Sequence, residues 1–143
     1  MIFKKLEPQE AAAVAAIEAQ VADGWSENGI LSALESAAVR CFVAKENDVI
    51  LAFCCFSLVA EEANLDALSV AAAARRRGVG TALLTFAFAA LAAEDAQKIF
   101  LEVRSKNAAA IALYRKLGFA AIGTRRNFYA NPADDAVIME KNL

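Results

Sequence analysis

The chain has 143 residues and a net charge of −2, and 59% of its residues are hydrophobic while 22% are charged. This length and composition fit one compact domain, 1–143. They exclude a disordered chain, because disordered chains are poor in hydrophobic residues. The charge balance gives no general attraction to nucleic acid or to an anionic membrane, so neither is an expected partner.

The first part of the chain predicts a strand and two helices. Met1 to Lys5 is a short strand candidate, and Pro8 can begin a helix that runs through Ala11 to Val21. After the break at Asp23-Gly24, Ser26 can cap a second helix that ends near Ser36.

Three strands are predicted in the middle of the chain. Residues 39–44 and 49–58 are rich in β-branched and aromatic side chains, and the polar segment 45–48 separates them. Residues 63–70 follow as a third strand. We therefore expect an antiparallel meander before the pattern changes.

The second part of the chain predicts a helix over 79–94 and a strand over 99–104. A strand, helix and strand of these lengths favour a right-handed crossover with parallel strands. Asn107 caps a further helix through Leu117. Two closing strands, 120–126 and 136–140, are joined by a predicted loop over 127–135.

The cysteines and the apolar segments bear on the location of the protein. Cys41, Cys54 and Cys55 are odd in number, and the N-terminus lacks the pattern of a secretion signal, so we expect reduced cysteines and a cytoplasmic protein. The longest uncharged stretch, Gly78 to Ala93, is shorter than the ~20 residues that span a bilayer. We expect no membrane segment.

The sequence contains no histidine, which removes the commonest general base and metal ligand. Acid and base catalysis must then fall to carboxylates, Tyr, Lys or Cys. No paired cysteines or carboxylates have the spacing of metal ligands, so no metal site is expected.

The segment Arg75-Arg76-Arg77-Gly78-Val79-Gly80 joins the end of a predicted strand to the start of a helix. Free backbone N–H groups at a helix N-terminus bind phosphate, glycines permit close approach, and arginines add positive charge. An ordinary helix start with solvated arginines is the equal alternative. The segment has no Gly-Lys-Ser/Thr sequence, which excludes a nucleotide P-loop, and its glycine spacing is not that of the dinucleotide fingerprint.

The pattern Arg-x-x-Gly-x-Gly in this segment resembles the signature of the GCN5-related N-acetyltransferases, the GNAT superfamily. The resemblance continues through Leu101-Glu102-Val103-Arg104, Asn107 to Ile111, Leu113-Tyr114 and Gly118-Phe119. It implies the GNAT acyl-CoA N-acyltransferase fold, an α/β domain whose mixed central sheet carries helices on both faces.

Other segments resemble one branch of that superfamily, the ribosomal-protein-alanine N-acetyltransferases. These segments are Trp25-Ser26-Glu27, Arg125-Arg126, Tyr129, Asn131-Pro132, Asp135-Ala136 and Met139. The branch often has two tyrosines where this chain has Phe128-Tyr129, and the superfamily often has Asp or Asn and then Pro where Ala71 and Ala72 stand. The first difference changes a side chain expected to contact the acceptor, and the second should only loosen the loop.

The resemblance implies acetyl-CoA as co-substrate. The main chain of Leu68, Ser69 and Val70 would contact the pantetheine arm, and Arg76 to Thr81 would contact the pyrophosphate. Asn107 would touch the cofactor from the next strand-helix junction, although a plain N-cap is an equal reading.

Two residues are candidates for proton transfer. Glu102 lies near the end of an apolar strand, where shelter from water would let it accept a proton from an ammonium near neutral pH, unless it only forms a salt bridge. Tyr114 lies within the following helix, and the resemblance implies that it protonates the leaving thiolate, whereas the residues alone favour a core aromatic.

Trp25 and Tyr129 come from loops that flank the acceptor in the resembling family, which predicts substrate contacts. The resulting prediction is acetyl transfer, by direct attack, to the N-terminal alanine of a small-subunit ribosomal protein. The alternatives are a GNAT enzyme for another amine, such as a lysine, polyamine or amino sugar, and a non-catalytic acyl-CoA-binding module.

Overall fold

The computed structural model describes residues 1–21 and 23–143. Its centre is a seven-stranded sheet with the order β1-β2-β3-β4-β5-β7-β6. The strands are β1 (Ile2–Lys5), β2 (Val39–Glu46), β3 (Val49–Val59), β4 (Glu62–Val70), β5 (Lys98–Arg104), β6 (Ala120–Ala130) and β7 (Ala133–Asn142). Neighbouring strands are antiparallel except for β4 and β5, which are parallel as predicted from the crossover.

Four α-helices accompany the sheet. They are α1 (Ala11–Glu18), which follows a short 3-10 turn at Pro8–Glu10, α2 (Glu27–Leu34), α3 (Val79–Ala93) and α4 (Ala108–Lys116). The hydroxyl of Ser26 accepts a hydrogen bond from the N–H of Gly29 at 3.0 Å, so the predicted cap of α2 is confirmed. In the described part of the chain, no helix has both the length and the apolar character needed to cross a bilayer.

The sheet separates two hydrophobic cores because successive side chains of a strand point to opposite faces. On one face, Cys54 and Phe56 of β3 pack with Leu83 and Leu84 of α3. On the other face, Phe53 and Cys55 pack with α1 and α2. We call these the α3 face and the α1 face, and helices therefore cover both faces of the mixed sheet, as predicted.

Two features differ from the sequence predictions. Cys41 and Cys55 lie opposite each other in β2 and β3, with Cα atoms 4.1 Å apart, and their sulfur atoms are bonded. The expectation of three reduced cysteines is therefore wrong, because the register of the hairpin makes neighbours of residues that a count along the chain treats as independent. Cys54 points to the other face and remains free.

The predicted loop over 127–135 is also wrong, because β6 and β7 continue through it. Strand pairing shifts register between Arg125 and Tyr129, so polar residues that resemble a loop form a bulged edge strand. The carboxylate of Asp135 accepts a hydrogen bond from the N–H of Asn127 at 2.8 Å, which holds the bulge. Only the cis-bonded Asn131-Pro132 pair separates the strands.

Candidate active site

The two parallel strands separate before they end. β4 pairs with β5 from Glu62 opposite Lys98 to Leu65 opposite Leu101, and no further pairs join these strands in the described residues. Beyond that point β3 holds β4 as far as Val70, and β7 holds β5 as far as Arg104. The separation opens a cleft of about 720 Å³ in the middle of the sheet.

A bulge in β4 marks the start of this separation. The pairing of β4 with β3 shifts register between Cys55 and Phe56, which leaves Asp66 as the extra residue. Burial raises the pKa of Asp66, and the hydroxyl of Ser57 partly offsets that effect. Asp66 lies in the wall of the cleft.

Six of the residues predicted from the sequence line this one cleft. They are Trp25, Leu68, Glu102, Asn107, Tyr114 and Tyr129. They come from the α1–α2 connection, β4, β5, α4 and the β6–β7 hairpin. Residues distant in sequence thus meet where β4 and β5 separate.

The end of β4 presents main-chain groups to the gap. The N–H of Ala71 donates to the carbonyl of Leu51 at 2.8 Å, so it points toward β3. Because alternate residues of a strand direct their N–H groups to opposite sides, those of Leu68 and Val70 point toward the gap. The side chain of Ser69 is buried. These orientations suit a ligand that lies along β4 and accepts hydrogen bonds from the main chain of the strand.

The segment after β4 places a helix N-terminus beside this strand. Gly78 is the N-cap of α3 with φ of 75°, a left-handed conformation that favours glycine, and no side chain in the described residues caps the helix. A β-carbon at Gly80 would lie 3.2 Å from Cγ2 of Val70, so glycine lets α3 pack closely on β4. Val79 is buried and Thr81 half-buried in the first turn.

The three arginines of the loop differ in their surroundings. The guanidinium of Arg75 donates to the Val70 carbonyl at 3.3 Å, and Arg77 pairs with Glu46 at 3.1 Å. Arg76 is exposed and has a φ of 65°. Arg75 therefore holds the loop against β4, and Arg76 leaves its charge toward solvent.

Glu102 occupies the β5 wall of the cleft. Its neighbours Leu101 and Val103 pack in the α3-face core, so its own side chain points to the α1 face. One carboxylate oxygen, Oε1, lies 3.6 Å from Nε of the exposed Arg125, and the other, Oε2, is buried with no hydrogen-bond donor in the described structure. The salt bridge considered from the sequence is thus loose and leaves one oxygen without a hydrogen-bond donor in the described residues.

Tyr114 reaches the cleft from the α3 face. Its ring packs edge-on against Phe119 at 5.7 Å between ring centroids, and the residue is buried. Burial raises the pKa of Tyr114 to about 12, so its hydroxyl keeps its proton at neutral pH. A protonated phenol in the cleft wall can donate a proton to a developing anion.

Asn107 has the capping geometry that the sequence predicts. Its side-chain oxygen accepts a hydrogen bond from the N–H of Ala110 at 3.1 Å, which begins α4. The residue also lines the cleft. The side-chain oxygen therefore serves the helix, whereas a contact with the cofactor remains a prediction.

The two aromatic residues predicted to contact substrate flank the cleft. Trp25 packs edge-on against Phe53 at 6.2 Å between centroids, so it is anchored in the α1-face core. Tyr129 lies beneath the guanidinium of Arg104, which is 4.3 Å from the ring centroid. Both rings line the same cleft.

Arg104 is a site residue that the sequence reasoning missed. Its guanidinium pairs with Asp23 at 2.8 Å and donates to the carbonyl of Pro132 at 2.6 Å. It therefore joins the α1–α2 connection to the β6–β7 hairpin across the cleft mouth. The sequence could have indicated this, because Arg104 lies two residues after Glu102 and so its side chain is on the same side of β5.

Glu18, at the end of α1, was also missed and also lines the cleft. Its side chain is buried and Oε1 has no donor within the described part of the chain. The sequence did contain a signal for Glu18. The residue falls on the same helix face as the apolar residues Ala11 and Val14, so a charged residue interrupts the apolar stripe there.

The comparisons with known proteins agree with this architecture. The sequence profile of the acetyltransferase (GNAT) family matches residues 7–119. The chain belongs to the GNAT acetyltransferase family. Enzymes of this family use acetyl-CoA as co-substrate, and the described residues contain no cluster of metal-type ligands.

This GNAT chain is also similar to individual proteins. It is 37% identical over 117 residues to the [ribosomal protein bS18]-alanine N-acetyltransferase of Escherichia coli strain K12, covering 80% of this chain and 78% of that one. The crystal structure of the Escherichia coli ribosomal-protein-S18-alanine N-acetyltransferase superposes with a TM-score of 0.91 at 34% identity, covering 99% of this chain and 92% of that one. Ard1 from Thermoplasma volcanium has a TM-score of 0.91 at 23% identity, over 99% and 97% of the chains, and shows the same fold.

Proposed function

We propose that residues 1–143 form one catalytic domain that transfers the acetyl group of acetyl-CoA to the N-terminal alanine of a bS18-type ribosomal protein in the cytoplasm. The observation that carries the proposal is the cleft between β4 and β5, which is lined by a carboxylate with one oxygen that lacks a hydrogen-bond donor and by a protonated phenol. Similarity to the bS18-alanine enzymes supports this acceptor over other amines.

The chain offers main-chain groups that fit acetyl-CoA. Leu68 and Val70 direct N–H groups into the gap, and Gly80 keeps the uncapped N-terminus of α3 beside them. Those helix N–H groups would hold the pyrophosphate, with Arg76 adding charge from the loop. The thioester would lie near Val70, whose N–H would stabilise the oxyanion that forms on the carbonyl.

Glu102 and Tyr114 would move the protons. Glu102 takes a proton from the acceptor ammonium, directly or through water, and the neutral amine attacks the thioester carbonyl. A carbon–nitrogen bond forms, and the carbon–sulfur bond then breaks as Tyr114 gives its proton to the departing thiolate. The nitrogen loses its second proton to water, and water returns a proton to Tyr114. Trp25 and Tyr129, which line the cleft, would flank the peptide.

A panel of acceptors tests the proposal. Purified protein is given acetyl-CoA with a peptide that begins with alanine followed by basic residues, the same peptide with a blocked N-terminus, a lysine peptide, a polyamine and an amino sugar. We expect the highest kcat/KM for the free alanine terminus. Faster acetylation of another amine would reject the acceptor, and no turnover of any amine would favour a non-catalytic module.

Glu102→Gln tests the base, and Glu140→Gln is its matched control. Glu140 lies on β7 with a half-buried side chain like that of Glu102, but it pairs with Lys98 at 3.4 Å and does not line the cleft. We expect Glu102→Gln to lower kcat by about 10² to 10⁴ with acetyl-CoA binding retained, and Glu140→Gln to keep wild-type kcat. Equal rates for the two variants would reject Glu102 as the base.

A further inference from the structure

Glu18 is a carboxylate in a position where α1 otherwise buries apolar side chains. Ala11 and Val14 share its face of the helix and are fully buried, and Glu18 itself is only 2% exposed. Burying an ionised carboxylate without a partner is strongly unfavourable, so such a group requires a compensating contact. Within the described residues, the fold provides a backbone N–H, that of Trp25, but no salt bridge.

The protein contacts of Glu18 are few. Burial raises its pKa, and the backbone N–H of Trp25 partly offsets this effect. No Lys or Arg in the described residues forms a salt bridge with Glu18, and Oε1 receives no hydrogen bond there. A β-carbon at Gly24 would overlap the Glu18 carbonyl and lie 3.2 Å from Oε2, so the next loop closes tightly over this end of the helix.

Glu18, whose buried Oε1 lacks a hydrogen-bond donor in the described residues, lies on the side of the sheet where the acceptor is expected. Glu18 lines the same cleft as Glu102, and both side chains lie on the α1 face. Each carries one buried oxygen without a donor. The nearby guanidinium of Arg104 pairs with Asp23, so it does not neutralise Glu18.

A primary ammonium matches this pair of acceptors. It carries three N–H donors and a positive charge, so it can satisfy two carboxylate oxygens at once and still direct one donor elsewhere. An N-terminal amine with a pKa near 7.7–8 is mostly protonated at pH 7. The group that enters the cleft is therefore a cation.

We infer that Glu18 binds the protonated amine of the acceptor and, with Glu102, selects a primary ammonium before the proton is removed. The inference rests on the acetyl transfer proposed above and adds a substrate-binding residue to it. Glu18 holds the cation, whereas Glu102 removes the proton. Loss of Glu18 should therefore raise KM and Kd for the acceptor more than it lowers kcat.

The test is a binding cycle on the full chain with coenzyme A bound, which prevents turnover. Isothermal titration measures the Kd of the best acceptor from the panel and of its desamino analogue, in which hydrogen replaces the reacting amine. We expect wild-type protein to prefer the amine by at least about tenfold, because the hydrogen bonds that the amine makes are to charged groups. In Glu18→Gln the preference should fall to about twofold or less.

Glu10→Gln is the matched control for general destabilisation. Glu10 is another buried glutamate at the opposite end of α1, but it pairs with Lys4 and Lys45 and does not line the cleft. Its variant should keep the wild-type preference for the amine. Glu18→Met fills the same buried volume and should lose the preference as well, so a misfolded glutamine variant does not end the test.

The outcomes separate this inference from the proposed function. If the wild-type protein acetylates the acceptor and Glu18→Gln and Glu18→Met keep the full preference for the amine, the role of Glu18 is rejected and the function stands. A fall in kcat with unchanged acceptor KM and Kd also rejects a binding role. If wild-type protein acetylates no amine, both proposals fail.

Discussion

Tyr114→Phe removes one hydroxyl from the cleft wall and keeps the ring that packs against Phe119. If the hydroxyl protonates the leaving thiolate, its loss should lower kcat by about 10² to 10⁴, which corresponds to about 2.7–5.5 kcal/mol of activation free energy. The Kd for acetyl-CoA should change little because main-chain groups are proposed to hold it. Stopped assays with thiol detection measure kcat, and calorimetry measures Kd.

The same variant has a second signature at alkaline pH. Burial raises the pKa of Tyr114 to about 12 from 10.0. The folded state thus favours the protonated phenol, and the resulting stabilisation is complete below pH 10 and lost as the pH rises through 12. A difference of this size corresponds to about 3 kcal/mol. Urea unfolding at pH 9–12 should show a smaller alkaline loss for Tyr114→Phe than for wild type.

Phe119→Leu is the control for packing. It disturbs the same aromatic contact and leaves the hydroxyl in place. We expect it to lose stability but to keep kcat within about threefold, since packing changes act mainly on folding. If Tyr114→Phe keeps wild-type kcat, or if Phe119→Leu loses as much activity, Tyr114 is not the proton donor.

Three further predictions concern the cofactor loop and the fold. Gly80→Ala should raise the Kd for acetyl-CoA about tenfold, because the new methyl group would meet Val70 at 3.2 Å, whereas Ala82→Ser, on an exposed position of the same helix, should not. Leu83→Ala should lower the free energy of unfolding by about 2–5 kcal/mol in urea titration, because Leu83 is fully buried. Burial acts to raise the pKa of Glu10, but hydrogen bonds from Lys4 and Lys45 outweigh it and lower that pKa to about 2. Glu10→Gln should therefore remove a stabilisation that is complete above pH 4.5 and lost toward pH 2, and identical acid unfolding curves would contradict this.

Local patterns predicted most of the secondary structure. The apolar run of β3, which is rich in β-branched and aromatic residues, and the wide apolar stripe of α3 give strong local signals. The caps Ser26 and Asn107 mark helix starts within a residue or two. The parallel pairing of β4 and β5 followed from their connection, because a strand, a helix and a strand of these lengths form a crossover that joins parallel strands.

Contacts between distant parts of the chain were not predicted. The salt bridge between Arg104 and Asp23 joins residues 81 positions apart, and neither residue has a local pattern that indicates its partner. The bulged β6–β7 pairing depends on the partner strand more than on the polar residues in it. Glu18 has a visible sequence signal, but only the three-dimensional structure shows that it faces the cleft.

The candidate site divides in the same way. The loop that begins at Arg75 could be assigned to a phosphate ligand from its glycines and its place before a helix. The contacts of its arginines could not be predicted from the sequence, because they depend on side-chain geometry across the fold. Arg75 donates to the Val70 carbonyl, and Arg77 pairs with Glu46.

The most direct test of the proposed function is mass spectrometry of protein N-termini in cells with and without this protein. We expect the alanine terminus of the bS18-type ribosomal protein to be acetylated in the first case and free in the second. Restoration by the wild-type chain, but not by Glu102→Gln, would tie the modification to this cleft. An N-terminus whose acetylation is the same with and without the protein would contradict the proposed acceptor.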